Sequence, residues 1–446
     1  MSISTNLSII NFTPYDWTQI GTSNTAGLTE WTFPKSLASG QAYGAEIVVN
    51  KPAQAQAQWP FTWADDTNPV ANLTLAVSGS SYSINAALDQ YSTENNPKGS
   101  VVNIPLASET WSPFILVGNE SNLAGNNPPT DWMAQNLPYI GCLTLQDMVI
   151  PGSHDAGMSE INYPREGTAA NSQTQTLNIT GQLQAGIRYF DIRPTISHGQ
   201  FYTGHYTDEL GANGESIADI ISDINRFTAK GNKELIILEL SHTLDTDTGY
   251  QAFSDSQYSS LLSQFRTGTK NLYTGHGADV LTKLPLSDFI SNSPAVVIVC
   301  DERNTSWLAS NGFRNKGFYS SSQFPVYNNY ADTTDLATMQ KDQYTKLVAQ
   351  TKTPDNAAQL FLLSWTFTQN VIDAVGLGGD TLRQSATYFN GFLAQVGGSV
   401  PYTGPVTWVA EKAGLPNIIL IDNVPTNNRF LTVMAIGLTR FYGTQC

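Results

Sequence analysis

Three short stretches of this chain end on residue types that move protons or hold anions. In Met148-Val-Ile-Pro-Gly-Ser-His-Asp155, an apolar run breaks at Pro-Gly and presents a histidine followed by a carboxylate. In Gly186-Ile-Arg-Tyr-Phe-Asp191-Ile-Arg193, the alternation of an extended strand puts Asp191 and Arg193 on one face. In Tyr202-Thr-Gly-His205-Tyr206, a third short strand ends at a histidine. Two histidines, carboxylates to fix their tautomers and an arginine form a kit for cleaving a phosphodiester. One imidazole takes a proton from the attacking hydroxyl while the other gives one to the leaving oxygen. Arginine grips a phosphate bidentately and neutralises charge developing on its nonbridging oxygens, so Arg193 can stand where a metal cation would otherwise be needed. Each motif alone has a plainer reading, a helix cap or a surface ion pair. Their joint occurrence at three successive strand ends favours a site.

The elements that must position these residues alternate along the second part of the chain. Strands are expected at Met148–Ile150, Ile187–Ile192, Phe201–Gly204, Leu235–Leu240, Val296–Cys300, Phe324–Tyr327, Leu360–Leu363 and Ile418–Ile421. Helices are expected over Thr176–Ala185, Ser216–Ala229, Asp335–Val348, Thr381–Val396 and Phe430–Phe441, from apolar spacing near 3.6 residues. Eight strands with intervening helices predict an irregular TIM-type (βα)8 barrel, in which the C-terminal strand ends carry the chemistry. All five histidines, His154, His198, His205, His242 and His276, fall in this part, four of them at or just past strand ends. His198 precedes a glycine in a turn and reads as solvated, and His242 reads equally as a rim contact or a structural hydrogen bond.

The first 120 residues differ, with three lysines, no arginine or histidine and five of the nine tryptophans. Short alternating segments at Leu7–Phe12, Ala45–Val49, Leu73–Ser78 and Phe114–Val117, separated by Gly, Asn, Pro and Ser, predict an antiparallel β-sandwich. The expected boundaries are 1–122 for this module, 123–135 for a linker and 136–446 for the barrel. The tryptophans of the first module either face a lipid or glycan or fill a sandwich core, and the core reading is favoured.

At the three motifs the chain resembles the phosphatidylinositol-specific phospholipase C X-domain family, including its bacterial and fungal single-chain members. The segments that carry the likeness are residues 150–158, 186–194 and 202–206, and more loosely 234–242 and 416–424. The resemblance implies attack of the inositol 2-hydroxyl on phosphorus, giving diacylglycerol and inositol 1,2-cyclic phosphate. It casts His154 as general base, His205 as general acid with Asp155 orienting it, and Asp191 and Arg193 as the aspartate and phosphate-binding arginine. Asp422, closing the last expected strand, is chosen to orient His154. Calcium-dependent members carry acidic ligands where Arg193 stands, so no metal and no cofactor are expected. Glu239, Arg303 and Trp365 are expected to read the headgroup, with a local pairing the open alternative for Glu239. For Trp365, a buried barrel-top aromatic is the plainer alternative.

Composition narrows the partners. The 446 residues carry 22 basic and 37 acidic side chains, a formal charge of −15, which removes the basic footprint of a nucleic-acid binder. It also offers no polybasic attraction to anionic lipid, so contact with a phospholipid surface is expected to be transient and peripheral. No protein partner is implied. No apolar run reaches spanning length and the N-terminus lacks a signal-peptide pattern, so a soluble chain of open compartment is expected. Cys142, Cys300 and Cys446 are odd in number and far apart, which predicts no disulfide framework. Two other readings stand beside the phospholipase: a related phosphodiesterase with another headgroup, and a lipid- or carbohydrate-binding protein using the barrel only as a scaffold.

Overall fold

A computed structural model describes residues 3–21, 25–63, 70–275, 279–350, 357–368, 381–425 and 429–443. His276 and Cys446 lie outside the described residues. The chain forms two compact units, one of Met1–Pro129, Tyr388–Leu415 and Asn427–Gly443, the other of Thr130–Thr387, Pro416–Thr426 and Thr444–Cys446.

Eleven strands of the first unit build two sheets. They are β1 (Ile3–Phe12), β2 (Trp17–Gln19), β3 (Leu28–Trp31), β4 (Ser36–Leu37), β5 (Ala42–Val49), β6 (Gln58–Trp63), β7 (Ala71–Ser78), β8 (Ser81–Ala87), β9 (Val101–Leu106), β10 (Trp111–Val117) and β11 (Ala124–Gly125). The sheet orders are β11-β10-β1-β5-β3 and β4-β2-β6-β7-β8-β9. The first sheet is not purely antiparallel as expected, because β1 and β10 run parallel with Ile9 opposite Phe114. Alternation along β7 and β8 turns Leu73, Leu75, Ile84 and Ala86 inward. One apolar cluster takes side chains from both sheets, with Trp17, Trp59 and Trp63 buried at its centre. Those tryptophans are core, because burying the largest apolar side chains removes the most surface from water. Residues 123–135, expected as a linker, instead hold β11 and the start of a helix, Trp132–Ile140. Buried Asn126 bonds the backbone of Pro113 and Ile115 there.

In the second unit the strands are β12 (Ile150–Ser153), β13 (Asn162–Arg165), β14 (Tyr189–Ile192), β15 (Pro194–Ser197), β16 (Gln200–Thr207), β17 (Leu210–Ser216), β18 (Leu235–Leu240), β19 (Leu244–Asp245), β20 (Ala295–Cys300), β21 (Phe318–Ser320), β22 (Val326–Asn328), β23 (Leu360–Trp365) and β24 (Ile418–Ile421). Eight of these form one sheet in the order β21-β20-β18-β14-β12-β24-β23-β22, every neighbouring pair parallel. Chain order therefore runs round the sheet, the first strand β12 lies beside the last, β24, and the ladder is interrupted between β21 and β22. This is a TIM-like arrangement. Its strands read as continuous apolar runs, such as Ala-Val-Val-Ile-Val-Cys in β20, because both faces are covered.

Phe201–Gly204, expected as a barrel strand, belongs instead to a separate sheet, β13-β17-β16-β15-β19. The eighth barrel position is taken by β21, three residues long and without a readable period. Local signals set the helix ends. Asn178 caps Ile179–Ala185, and Gly186 ends that helix at φ 101°, a left-handed conformation open to glycine, just before β14. Ser216 caps Ile217–Thr228. The helix Phe430–Tyr442, placed in the barrel by the sequence, lies in the first unit. Cys142 is disulfide-bonded, contrary to expectation, and Cys300 is free and buried. Both other cysteines lie far from Cys142 along the chain, so no spacing announced the bond. Among the described residues no helix is long and apolar enough to cross a membrane.

Candidate active site

The site is assembled where β12, β14 and β24 end and where β16 leans over them. His154 follows β12 directly, and its N–H donates to the carbonyl of Ile421, tying it to the end of β24. The chain then turns at Asp155, whose φ of 41° is unusual for a residue with a Cβ. Asp191 on β14 holds that turn: its Oδ2 accepts from the Asp155 N–H at 3.2 Å, and its carbonyl accepts from the Ala156 N–H at 2.8 Å.

All six expected catalytic side chains meet here. His154 Nδ1 lies 2.8 Å from Asp422 Oδ1, and His154 Nε2 lies 2.8 Å from Arg193 Nη2. Arg193 Nε is 2.5 Å from Asp155 Oδ1, and its Nη2 is 3.2 Å from Asp191 Oδ2. His205 Nδ1 lies 2.6 Å from Asp155 Oδ2. Asp155 thus serves the guanidinium with one oxygen and an imidazole with the other. The His154, Arg193 and His205 side chains are 20%, 25% and 26% exposed, whereas Asp155 is fully buried. The groups that would meet a ligand reach solvent, and the carboxylate that orients two of them does not.

Electrostatics follow from that burial. Burial lowers the His154 pKa, but the Asp422 and Asp155 carboxylates outweigh it and push the imidazole up to about 9. The 2.8 Å contact from Arg193 works the other way, since a guanidinium can only donate and needs the Nε2 lone pair. In the neutral imidazole Nδ1–H donates to Asp422 and Nε2 accepts from Arg193. Burial raises the Asp155 carboxyl, yet Arg193, His154 and His205 together hold it well below the usual carboxylate range. Burial opposes the charge on Arg193, and the Asp155 and Asp191 carboxylates restore and exceed it, so the guanidinium stays charged.

His154, Asp155 and Asp191 offer three ligand atoms close enough to share a cation. The guanidinium of Arg193 contacts all three residues. A positive group supplied by the chain therefore already sits among these donors.

The three expected headgroup residues separate. Glu239 stands on β18 opposite Asp191 on β14, so both project to the same side, and the Tyr189 hydroxyl donates to its Oε2. Burial and the Asp191 charge push its pKa up to about 8. Arg303 is occupied elsewhere: it donates to the carbonyls of Glu302 and Phe253, pairs with Asp255 and lies over the Tyr258 and Trp307 rings. Trp365 is 1% exposed and pairs in register with Ile421, whereas Ser364 pairs with Leu420. Because Gly152 pairs with both Leu420 and Tyr189, Asp191 lies on the strand face of Gly152, Leu420 and Ser364, and Trp365 projects from the other. The ring-stacking expectation for Trp365 therefore fails on strand parity.

Sequence reasoning missed Ser241, whose hydroxyl donates to Asp191 Oδ1 at 3.2 Å. A serine after a strand carries no distinguishing signal. His242 is exposed and bonded to Ser241 Oγ, and His198 sits in the β15–β16 turn against the Tyr163 ring.

No family model matches the chain. Several relatives are similar to part of it. PI-PLC X domain-containing protein 3 of Bos taurus is 33% identical over 138 residues, 25% of this chain and 41% of its own length. PI-PLC X domain-containing protein 2 of Homo sapiens is 29% identical over 136 residues, 25% and 43% respectively. The 1-phosphatidylinositol phosphodiesterase of Listeria monocytogenes is 28% identical over 180 residues, 39% and 51%. The matched region thus spans about two fifths of the first of these relatives. Among solved structures, the H258Y mutant of the phosphatidylinositol-specific phospholipase C from Staphylococcus aureus aligns with 71% of this chain and 97% of its own, at TM-score 0.48 and 15% identity. The Listeria monocytogenes enzyme aligns with 69% and 98%, at TM-score 0.45 and 19% identity. The chain resembles phosphatidylinositol-specific phospholipases C and their X domain.

Proposed function

We propose that the protein cleaves the phosphodiester of phosphatidylinositol, or of a related inositol phospholipid, at a membrane surface. The observation that carries this is the pairing of each partly exposed imidazole with its own buried carboxylate, His154 with Asp422 and His205 with Asp155, with one guanidinium in contact with His154 and Asp155. A phosphate drawn onto Arg193 releases His154 Nε2 from its donor. That nitrogen then takes the proton of the inositol 2-hydroxyl as its oxygen attacks phosphorus. The bond from phosphorus to the diacylglycerol oxygen breaks, and His205 gives that oxygen a proton through Nε2, since Nδ1 faces Asp155. The products are diacylglycerol and inositol 1,2-cyclic phosphate. Arg193 carries the charge on the nonbridging oxygens, a role that supports reading the reaction as metal-independent.

The relatives named for phosphatidylinositol phospholipase C support the substrate class. The apolar core shared by the two N-terminal sheets supports reading the first unit as a β-sandwich, with Trp17, Trp59 and Trp63 buried in it.

The test is release of water-soluble inositol phosphate from phosphatidylinositol vesicles in the presence of a chelator, for the wild type, His154→Ala and His205→Ala. Turnover that survives the chelator and falls by at least about 10²–10⁴-fold in each variant supports the mechanism. Loss of wild-type turnover on chelation overturns the role given to Arg193. No turnover on any inositol lipid overturns the substrate class.

A further inference from the structure

We propose that Gln175 is a positioning residue that sets the contact between His154 and Asp422. These two side chains leave the ends of different strands, β12 and β24, which the His154 N–H joins through the Ile421 carbonyl alone. Gln175 bridges those ends. It is fully buried, and its Nε2 donates to the carbonyl of His154 at 2.8 Å and to that of Ile421 at 3.3 Å. Its Oε1 accepts from the Val424 N–H at 3.0 Å. One amide therefore bonds the backbone of the base itself and the backbone on both sides of Asp422. No other side chain type offers two donors and an acceptor in that plane at that length except asparagine, which is too short.

The neighbouring residues extend the clamp. The Thr174 hydroxyl donates to the Asp155 carbonyl at 3.0 Å, and the Thr174 carbonyl accepts from the Asn423 N–H at 2.8 Å. Asp155 and Asn423 have φ of 41° and 46°, so both turns beside the base and its carboxylate are held in conformations that residues with a Cβ seldom adopt. The Gln175 N–H donates to Met158, and the Thr176 hydroxyl to Asn423 Oδ1. The segment 174–176 thus holds both strained turns at once. It reaches none of the side chains that would meet substrate.

The kinetic arm of the test rests on the proposed role of His154 as base, and the spectroscopic arm does not. In full-length protein with ¹⁵N-labelled histidine, the His154 Nδ1–H resonance, assigned by its loss in His154→Ala, reports the bond to Asp422. Gln175→Leu takes the donor from the His154 carbonyl and the acceptor from the Val424 N–H, and leaves the Ile421 carbonyl with only the His154 N–H. It is expected to weaken or abolish that resonance, leave the His205 signals in place and lower kcat about 10–100-fold with KM unchanged. Thr174→Val, which releases only Asp155, is expected to disturb His205 instead. If Gln175→Leu does not fold, Gln175→Asn, which keeps the polarity and loses the reach, carries the same comparison. A folded variant with the His154 resonance unchanged, or with His154 and His205 disturbed equally, overturns the proposal. This holds whether or not phosphatidylinositol is turned over.

Discussion

Asp422 illustrates how much one carboxylate fixes at this site. It accepts from His154 Nδ1 at 2.8 Å, which leaves Nε2 as the atom able to take a proton, and its charge helps hold the imidazole up to about 9. His154 must be neutral to act as a base, so activity should rise with pH until that value is reached. Asp422→Asn removes the charge and keeps the shape. The His154 pKa should fall and the acid-side limb of the kcat/KM profile should move to lower pH. At the same time kcat should drop about 10²–10⁴-fold, because the amide can stabilise the wrong tautomer. A limb that stays in place would show that another group sets it. Five of the six catalytic candidates stand in the three sequence motifs and Asp422 closes a more loosely matching segment, and the fold brings all six together. Arg303 and Trp365 were not legible in the sequence, for different reasons. A cation near the site in sequence was taken by Phe253, Asp255 and Tyr258, and the direction of Trp365 depends on a register that one sequence does not show.

At the scale of elements, His205 depends on a strand that lies outside the barrel. β16 brings it to Asp155 only because β17 and the turn after β12 pack backbone to backbone. A Cβ on Gly214 would lie 2.2 Å from the Gly157 carbonyl and 2.7 Å from Thr203 Oγ1. Backbone cannot yield there as a flexible side chain would, so Gly214→Ala should push β17 off the Asp155 turn. The expected cost is about 1–3 kcal/mol in denaturant unfolding, together with a loss of activity. Gly199→Ala, in the β15–β16 turn, is the control. Its Cβ would meet nothing within 4 Å, and only its φ of 71° resists substitution. It should cost about 1–2 kcal/mol and leave turnover unchanged. Equal loss of activity in both variants would remove the special role given to the β17 contact. The sequence showed seven of the eight barrel strands, since long apolar runs announce themselves. It misplaced β16, which has a strand's composition but pairs with β15 and β17, and it missed β21, three residues of Phe-Tyr-Ser. Strand composition is local, whereas partner choice is not.

Across the whole molecule, composition separated a tryptophan-rich first part from a histidine-bearing second. It did not show that Tyr388–Leu415 and Asn427–Gly443 return to the first unit, because an apolar helix such as Phe430–Tyr442 suits either core. The charge pattern has a consequence on the same scale. Burial, aided by nearby carboxylates, raises Glu215 and Glu239 from 4.5 to about 8, so the folded protein keeps two protons that the unfolded chain loses. By linkage, stability then falls as pH rises between these values. His154, raised from 6.5 to about 9, adds stability that is complete below 6.5 and lost as pH climbs through 9. Asp155, held well below its ordinary 3.8, adds stability above that value and loses it only in strong acid. Repulsion within a chain of formal charge −15 acts in the same direction, since it grows as carboxyl groups ionise. All four effects place the stability maximum in mild acid. Thermal unfolding should give a higher Tm at about pH 5 than at about pH 9, with a steady decline between. Glu215→Gln, which keeps an acceptor for the Ser159 hydroxyl, should lessen the decline below about pH 8 and leave the parts due to Glu239 and His154. A Tm that rises toward alkaline pH would mean that these buried acids ionise in the folded protein near their ordinary values.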